Sequence, residues 1–218
     1  MRNRVAIFGF VFILLSLTVL AQVDANIMSD LAKIKTGVKS MRVSSYDRSG
    51  GNNDRFENIP DGQRRTLFEV QGAGIIKHIW ITIAPPPPAL SRNDIILRMY
   101  WDGETEPSVQ APIGPFFGQG WDEAYNFSST PLAAGPVTGR GLVCYFTMPF
   151  ADGARIEVEN DTGRDIGAFY YYVDYVQMEQ LPPELGRFHA WYNTQVTEAL
   201  ESGENEWSLL GEFEKNTT

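Results

Sequence analysis

The sequence predicts an all-β domain of the jelly-roll sandwich type, and three observations carry that expectation. Short segments of alternating apolar and polar residues recur along most of the chain. Proline, glycine or Asp-Gly punctuates them. The connections between them are too long for a plain meander, which favours the crossing loops of a jelly roll.

The elements follow in order. Arg2 and Arg4 precede an apolar run from Val5 to Leu20, and Val23-Asp24-Ala25 supplies a small-residue cleavage pattern. This is the anatomy of a signal peptide over residues 1–25. The run is shorter than the roughly 20 residues of a spanning helix, so the expected product is secreted or periplasmic and free of the membrane after cleavage. Ile27 to Lys39 reads as a short amphipathic helix, with Ile27, Leu31, Ile34 and Val38 at helical spacing. Strand patterns then take over: Thr66–Gln71, Gly74–Ile83, Ile95–Trp101, Leu142–Met148, Ala154–Asn160 and Gly167–Gln180. In the second of these, Ile75, Ile79, Ile81 and Ile83 share one face, with Lys77 as the exception. Pro85–Pro88 cannot join a ladder because proline lacks an N–H donor. The segment from Pro107 to Arg140, dense in Gly, Pro, Phe and Trp, reads as one long loop, a feature that is often functional. The strands place one jelly-roll domain over residues 26–190. Residues 191–218 read as a linker, with Trp207–Phe213 as the opening strand of a truncated further element, which the family resemblance given below implies is a second jelly roll.

Charge and composition exclude several classes. The formal charge is −9, and loss of Arg2, Arg4 and Asp24 makes it −10. Such a surface repels phosphate backbones, so nucleic acid is not an expected partner, whereas a neutral sugar is compatible. Cys144 is the only cysteine, which excludes a disulfide scaffold. His78 and His189 lie far apart, no spacing suggests a metal site, and no phosphate-cradling or nucleophile-elbow motif occurs, so no metal or cofactor is expected.

Four stretches together resemble a known family. They are Ser44-Ser-Tyr-Asp-Arg-Ser-Gly-Gly-Asn-Asn-Asp54, Gly72-Ala-Gly-Ile-Ile-Lys-His-Ile-Trp80, Leu97-Arg-Met-Tyr-Trp-Asp-Gly-Glu104 and Pro112-Ile-Gly-Pro-Phe-Phe-Gly118. Met148-Pro-Phe150 and Tyr171-Tyr-Val-Asp-Tyr175 follow in the expected order. This pattern resembles the domain of unknown function 2961 family, now glycoside hydrolase family 172, in its N-terminal half. The resemblance implies two consecutive jelly rolls per protomer, homo-oligomers, and chemistry on fructofuranosides or related furanosides. It also implies a pair of catalytic glutamates in the second jelly roll, so no catalytic residue is carried over to this chain. A glycosidase needs two positioned carboxyl groups.

The candidate substrate-binding residues are Tyr46, Asp47, Arg48, Asn52, Asn53 and Asp54, with Trp121 in the long segment. Asp and Asn accept from and donate to sugar hydroxyls, and Arg supplies a forked donor. The competing reading of Tyr46–Asp54 is an ordinary turn closed by an Asp47–Arg48 ion pair. Asp102, Glu104 and Glu106 crowd after Trp101 and could form an acid/base pair, although Asp102-Gly103 is also a routine hairpin signal. Trp80 and Trp101 read as core, and Phe116, Phe117, Trp121 and Tyr125 as core or as a stacking surface. Alternatives to an enzyme half are a stand-alone carbohydrate-binding module and a structural assembly domain.

Overall fold

The computed structural model describes residues 34–194. The signal segment 1–25, most of the expected helix and the Trp207–Phe213 segment lie outside the described residues. The chain divides after Thr36, and the fold below belongs to the second compact unit.

That unit is a β-sandwich with almost no helix. One sheet has seven strands: β1 (Val38–Ser44), β3 (Gly74–Ala84), β6 (Phe127–Ser128), β7 (Leu132–Gly135), β8 (Gly141–Cys144), β9 (Met148–Phe150) and β11 (Ala168–Met178). Its order is β1-β11-β3-β8-β7-β6, with β9 also pairing β3. The other sheet has β2 (Gln63–Gln71), β4 (Ile95–Trp101), β5 (Val109–Pro112), β10 (Gly153–Asn160) and β12 (Ala190–Trp191), in the order β12-β5-β4-β10-β2. All pairings are antiparallel except β12 with β5. Between the sheets lies the core, including Phe68, Ile79, Ile81, Leu97, Met99, Trp101, Phe117, Phe150 and Phe169. Ile95, Leu97, Met99 and Trp101 are wholly buried, as their alternation predicts.

Several expectations are corrected. Val38 and Lys39 do not end a helix; they open β1, where Val38 faces Met178 and Lys39 faces Gln177. On β3 the inward residue near the start is Ile76, not Ile75. Ile75 instead joins a small cluster with Ala73 and Leu181. The cause is a bulge: Ile76 faces Tyr175 and His78 faces Asp174, so Lys77 is the extra residue. One residue of slip transfers every side chain to the other face.

The expected strand Leu142–Met148 is two strands. β8 ends at Cys144, opposite Ile79, and β9 begins at Met148, opposite Ile76. Pro149 lies within β9 rather than after it. The Pro107–Arg140 segment is not one loop. It carries β5, a one-turn helix α1 (Ile113–Phe116), β6, β7 and a 3-10 turn at Val137–Gly139.

Candidate functional site

The candidate residues Tyr46–Asp54 leave the end of β1. Ser45 N–H still bonds Tyr171 O at 3.2 Å, and the chain rejoins β11 where Phe56 N–H bonds Phe169 O at 2.7 Å. The intervening residues form an excursion from the sheet edge. Gly50 has φ 79° and Asn52 φ 65°, left-handed values that Gly and Asn accept best.

Asp47 organises this excursion. Its Oδ1 accepts from the Ser49 N–H at 2.9 Å and the Ser49 hydroxyl at 2.6 Å. Its Oδ2 accepts from the Asn53 N–H at 3.0 Å. The Asp47 N–H in turn donates to Asp54 Oδ1 at 2.8 Å. Hydrogen bonds from the Ser49 hydroxyl and from backbone N–H groups hold the Asp47 carboxyl at about 2, because donors to the ionised form favour it.

With its acceptors engaged, Asp47 forms no ion pair with Arg48. The Arg48 guanidinium instead lies 5.7 Å from the centroid of the exposed Tyr46 ring. Its charge also acts on the buried Tyr171 hydroxyl, whose pKa burial raises and Arg48 opposes. Among the described residues no hydrogen bond or salt bridge engages the Arg48 side chain.

The sheet surface beside this loop carries a second group that sequence reasoning did not single out. On the outer face, Arg42, Asp174 and His78 form one row across three strands. Arg42 Nε and Nη2 donate to Asp174 at 2.5 and 3.0 Å, and His78 Nδ1 donates at 2.7 Å. Burial pushes the Asp174 carboxyl up, but the Arg42 and His78 hydrogen bonds outweigh it and leave the pKa lowered. Tyr145, which lies between β8 and β9, stacks on His78 at 5.1 Å. In the next row Trp80 stacks on Tyr172 at 4.9 Å, and Arg42 covers the Tyr172 ring at 4.7 Å. Trp80 is therefore half-buried on the outer face, not core; Trp101 is core, with its indole N–H donating to Phe188 O at 2.7 Å. The signal for this surface was the strand alternation itself, which puts His78, Trp80 and Thr82 opposite the isoleucines.

Trp121 is 81% exposed. The sheet order puts β1 and β6 at opposite edges, so the Tyr46–Asp54 loop and the Trp121 segment, which leads into β6, flank the sheet rather than meet. Register nevertheless places both at the same end of the sandwich. Gln119 and Asp122, on either side of Trp121 in the chain, join a buried polar hub. Arg92 is 1% exposed; it donates to the Gln119 side chain, to Gly139 O at 3.1 Å and to Arg140 O at 3.2 Å. Gln119 Nε2 donates to Tyr125 O at 2.9 Å and Gly139 O at 3.0 Å. The Arg92 N–H reaches Asp122 Oδ1 at 3.0 Å. Burial pulls the Arg92 guanidinium down to about 10, still protonated at neutral pH. Tyr125 is held by its hydroxyl on Gly118 O at 2.5 Å, and Phe116 and Phe117 are core.

The acidic group after Trp101 braces turns. Asp102 Oδ1 accepts from the N–H groups of Ala151 and Asp152 at 2.7 and 2.8 Å. Glu104 accepts from the Trp101 N–H at 3.1 Å and the Ser108 hydroxyl at 2.7 Å. Glu106 is exposed.

Residues 36–183 match the first beta-sandwich domain of the GH172 family. No curated protein matches the chain. Among solved structures, the infectious bursal disease virus VP2 subviral particle aligns with 8% identity and a TM-score of 0.36. That alignment covers 65% of this chain and 33% of the viral one, so the chain spans about a third of its length.

Proposed function

The chain belongs to the GH172 family, and from that premise we propose that its sandwich, of jelly-roll type, is a carbohydrate-facing wall of an exported glycoside hydrolase-like protein. The substrates are fructofuranosides or related furanosides, the assembly is a homo-oligomer, and the catalytic carboxyl pair comes from outside residues 36–183. The sandwich contributes recognition through Tyr46, Asp47, Arg48, Asn52, Asn53 and Asp54, with Trp121 at the same end of the strands.

The observation that supports this reading most is the uncoupling of Asp47 from Arg48. A plain structural turn would be expected to spend the arginine on the neighbouring carboxylate. Here the carboxylate shapes the backbone through Ser49 and Asn53, and the guanidinium stays available beside an exposed tyrosine ring. A forked donor next to an aromatic face suits a sugar that presents adjacent hydroxyls and an apolar ring face. Asp47 itself is a poor general acid, because at about 2 it stays ionised across the working range of a glycosidase.

A second reading, a stand-alone carbohydrate-binding domain, is favoured by the exposed Trp121, whose near chain neighbours Gln119 and Asp122 are anchored to the buried Arg92. Isothermal titration of the chain with a fructofuranosyl disaccharide separates the two. The wall reading expects Arg48→Gln to abolish binding and Trp121→Ala to weaken it in part. The module reading expects Trp121→Ala to abolish it and Arg48→Gln to leave it intact. Absence of furanoside binding by the unmodified chain would refute both.

A further inference from the structure

The end of the sandwich away from the glycine-rich loop holds a different concave site. Three turns meet there: Gln71–Ala73 between β2 and β3, Asp102–Gly103 after β4, and Asp152–Gly153 entering β10. Between them lies a cavity of about 180 Å3, lined by Glu69, Gln71, Tyr100, Glu104, Asp152 and Arg155 among others.

Its walls are braced from behind. Asp102 ties the Ala151–Asp152 backbone to the β4 turn, and its second oxygen accepts from Arg187 Nε at 2.5 Å. The Gly72 N–H donates to Asp152 O at 3.0 Å, joining the other two turns. Glu104 is spent on Trp101 and Ser108. The Arg155 guanidinium lies 4.2 Å from the Tyr100 ring centroid, and its Nε is 3.3 Å from Glu157. Glu69 and Asp152 differ from these: both are exposed, and among the described residues neither carboxylate takes part in a hydrogen bond or salt bridge.

The lining therefore combines two unspent carboxylates, a side-chain amide, a guanidinium set over an aromatic ring, and backbone turns. Carboxylates accept from paired hydroxyls, an amide does both, and a guanidinium donates. Three acidic side chains against one basic one disfavour an anionic ligand such as a phosphate or sugar acid. The volume is far below the roughly 300–1,000 Å3 of drug-sized sites, and it suits a single sugar ring.

We propose that this pocket binds one neutral monosaccharide unit, at a site separate from the Tyr46–Asp54 loop. The inference does not rest on the loop reading, since the pocket lies at the β2–β3 turn and the loop at the opposite strand ends.

The test is a titration of the full chain with fructose, arabinose and glucose, followed by amide NMR. Gly103 and Gly153 are expected to shift saturably with dissociation constants in the millimolar range. Glu69→Gln with Asp152→Asn is expected to weaken binding by about tenfold. Both side chains are exposed, and an unchanged cooperative melt shows that the fold is kept. The proposal is overturned if neither amide moves up to about 100 mM sugar, a limit far weaker than ordinary specific recognition. It is equally overturned by unchanged affinity in the folded double variant. Shifts confined to Gly50 and Gly51 would put the sugar on the loop alone, and binding of glucosamine but of no neutral sugar would assign the carboxylates to an ammonium group; either result removes this site.

Discussion

The Asp47 carboxylate accepts the Asn53 backbone N–H at 3.0 Å, across six residues of glycine-rich chain. With the Ser49 contacts, that bond turns a polar stretch into a shaped loop, and it is what leaves Arg48 outside the loop's own hydrogen bonding.

The loop's order should follow the ionisation of Asp47. Its folded pKa of about 2 lies below the ordinary value of 3.8. A depressed carboxyl contributes stability above its unfolded pKa and loses it as the pH falls through the folded one. Protection of the Ser49 and Asn53 amides from hydrogen exchange should hold from neutrality to about pH 4 and fade towards pH 2. Asp47→Ala should remove that protection at every pH. Protection that survives the substitution would show that other contacts shape the loop.

The Arg92 hub makes a stronger demand. Its guanidinium satisfies buried carbonyls of Gly139 and Arg140, and the Gln119 side chain, at once. Arg92→Met should lower the unfolding free energy by about 3 kcal/mol, since it orphans buried acceptors. Urea denaturation monitored by circular dichroism measures this directly. A loss below about 1 kcal/mol would mean that water replaces the guanidinium without cost.

Gly139 sits inside the same hub at φ 59°, and a Cβ built on it would stand 2.0 Å from Tyr125 O. Gly139→Ala should therefore cost about 3 kcal/mol or more. Gly135, with open space around its Cβ position and no left-handed φ, provides the comparison. Gly135→Ala should change thermal stability little, and equal losses from both would refute the steric argument.

On the outer sheet face, Asp174 lies between Arg42 and His78. Its carboxyl is held below the ordinary value, so the stability it contributes is present above about pH 4 and lost on acidification. Asp174→Asn should destabilise the domain by about 1 kcal/mol at neutral pH. It should also flatten the acid limb of the stability profile. A parallel acid limb in the variant would assign the pH dependence to other carboxylates.

Much of the fold was legible in the sequence where one face of a strand is buried. β4 announces itself through Ile95, Leu97, Met99 and Trp101, all of which the core absorbs. β1 was not legible: it is an edge strand whose Lys39, Ser40, Met41 and Arg42 are exposed, so no alternation marks it and its pairing with β11 defines it. On β3 the departure of Lys77 from the pattern was visible, but its cause was not, because a bulge is a property of two paired strands. The long segment after Pro107 hid β5, β6 and β7, since strands of two to four residues are too short for periodicity. The site divides in the same way. The Tyr46–Asp54 loop stood out by composition, yet whether Asp47 would pair with Arg48 depended on where Ser49 and Asn53 place their donors. The Arg42–Asp174–His78 row needed strand order, which no local pattern encodes.

A turnover assay on the intact chain addresses most directly the division of labour between recognition and chemistry. Purified protein should bind a fructofuranosyl disaccharide, and at saturating disaccharide any hydrolysis should survive both Asp47→Asn and Glu104→Gln. Steady hydrolysis that disappears on Asp47→Asn or Glu104→Gln would place the reacting carboxylates in this sandwich and contradict the account.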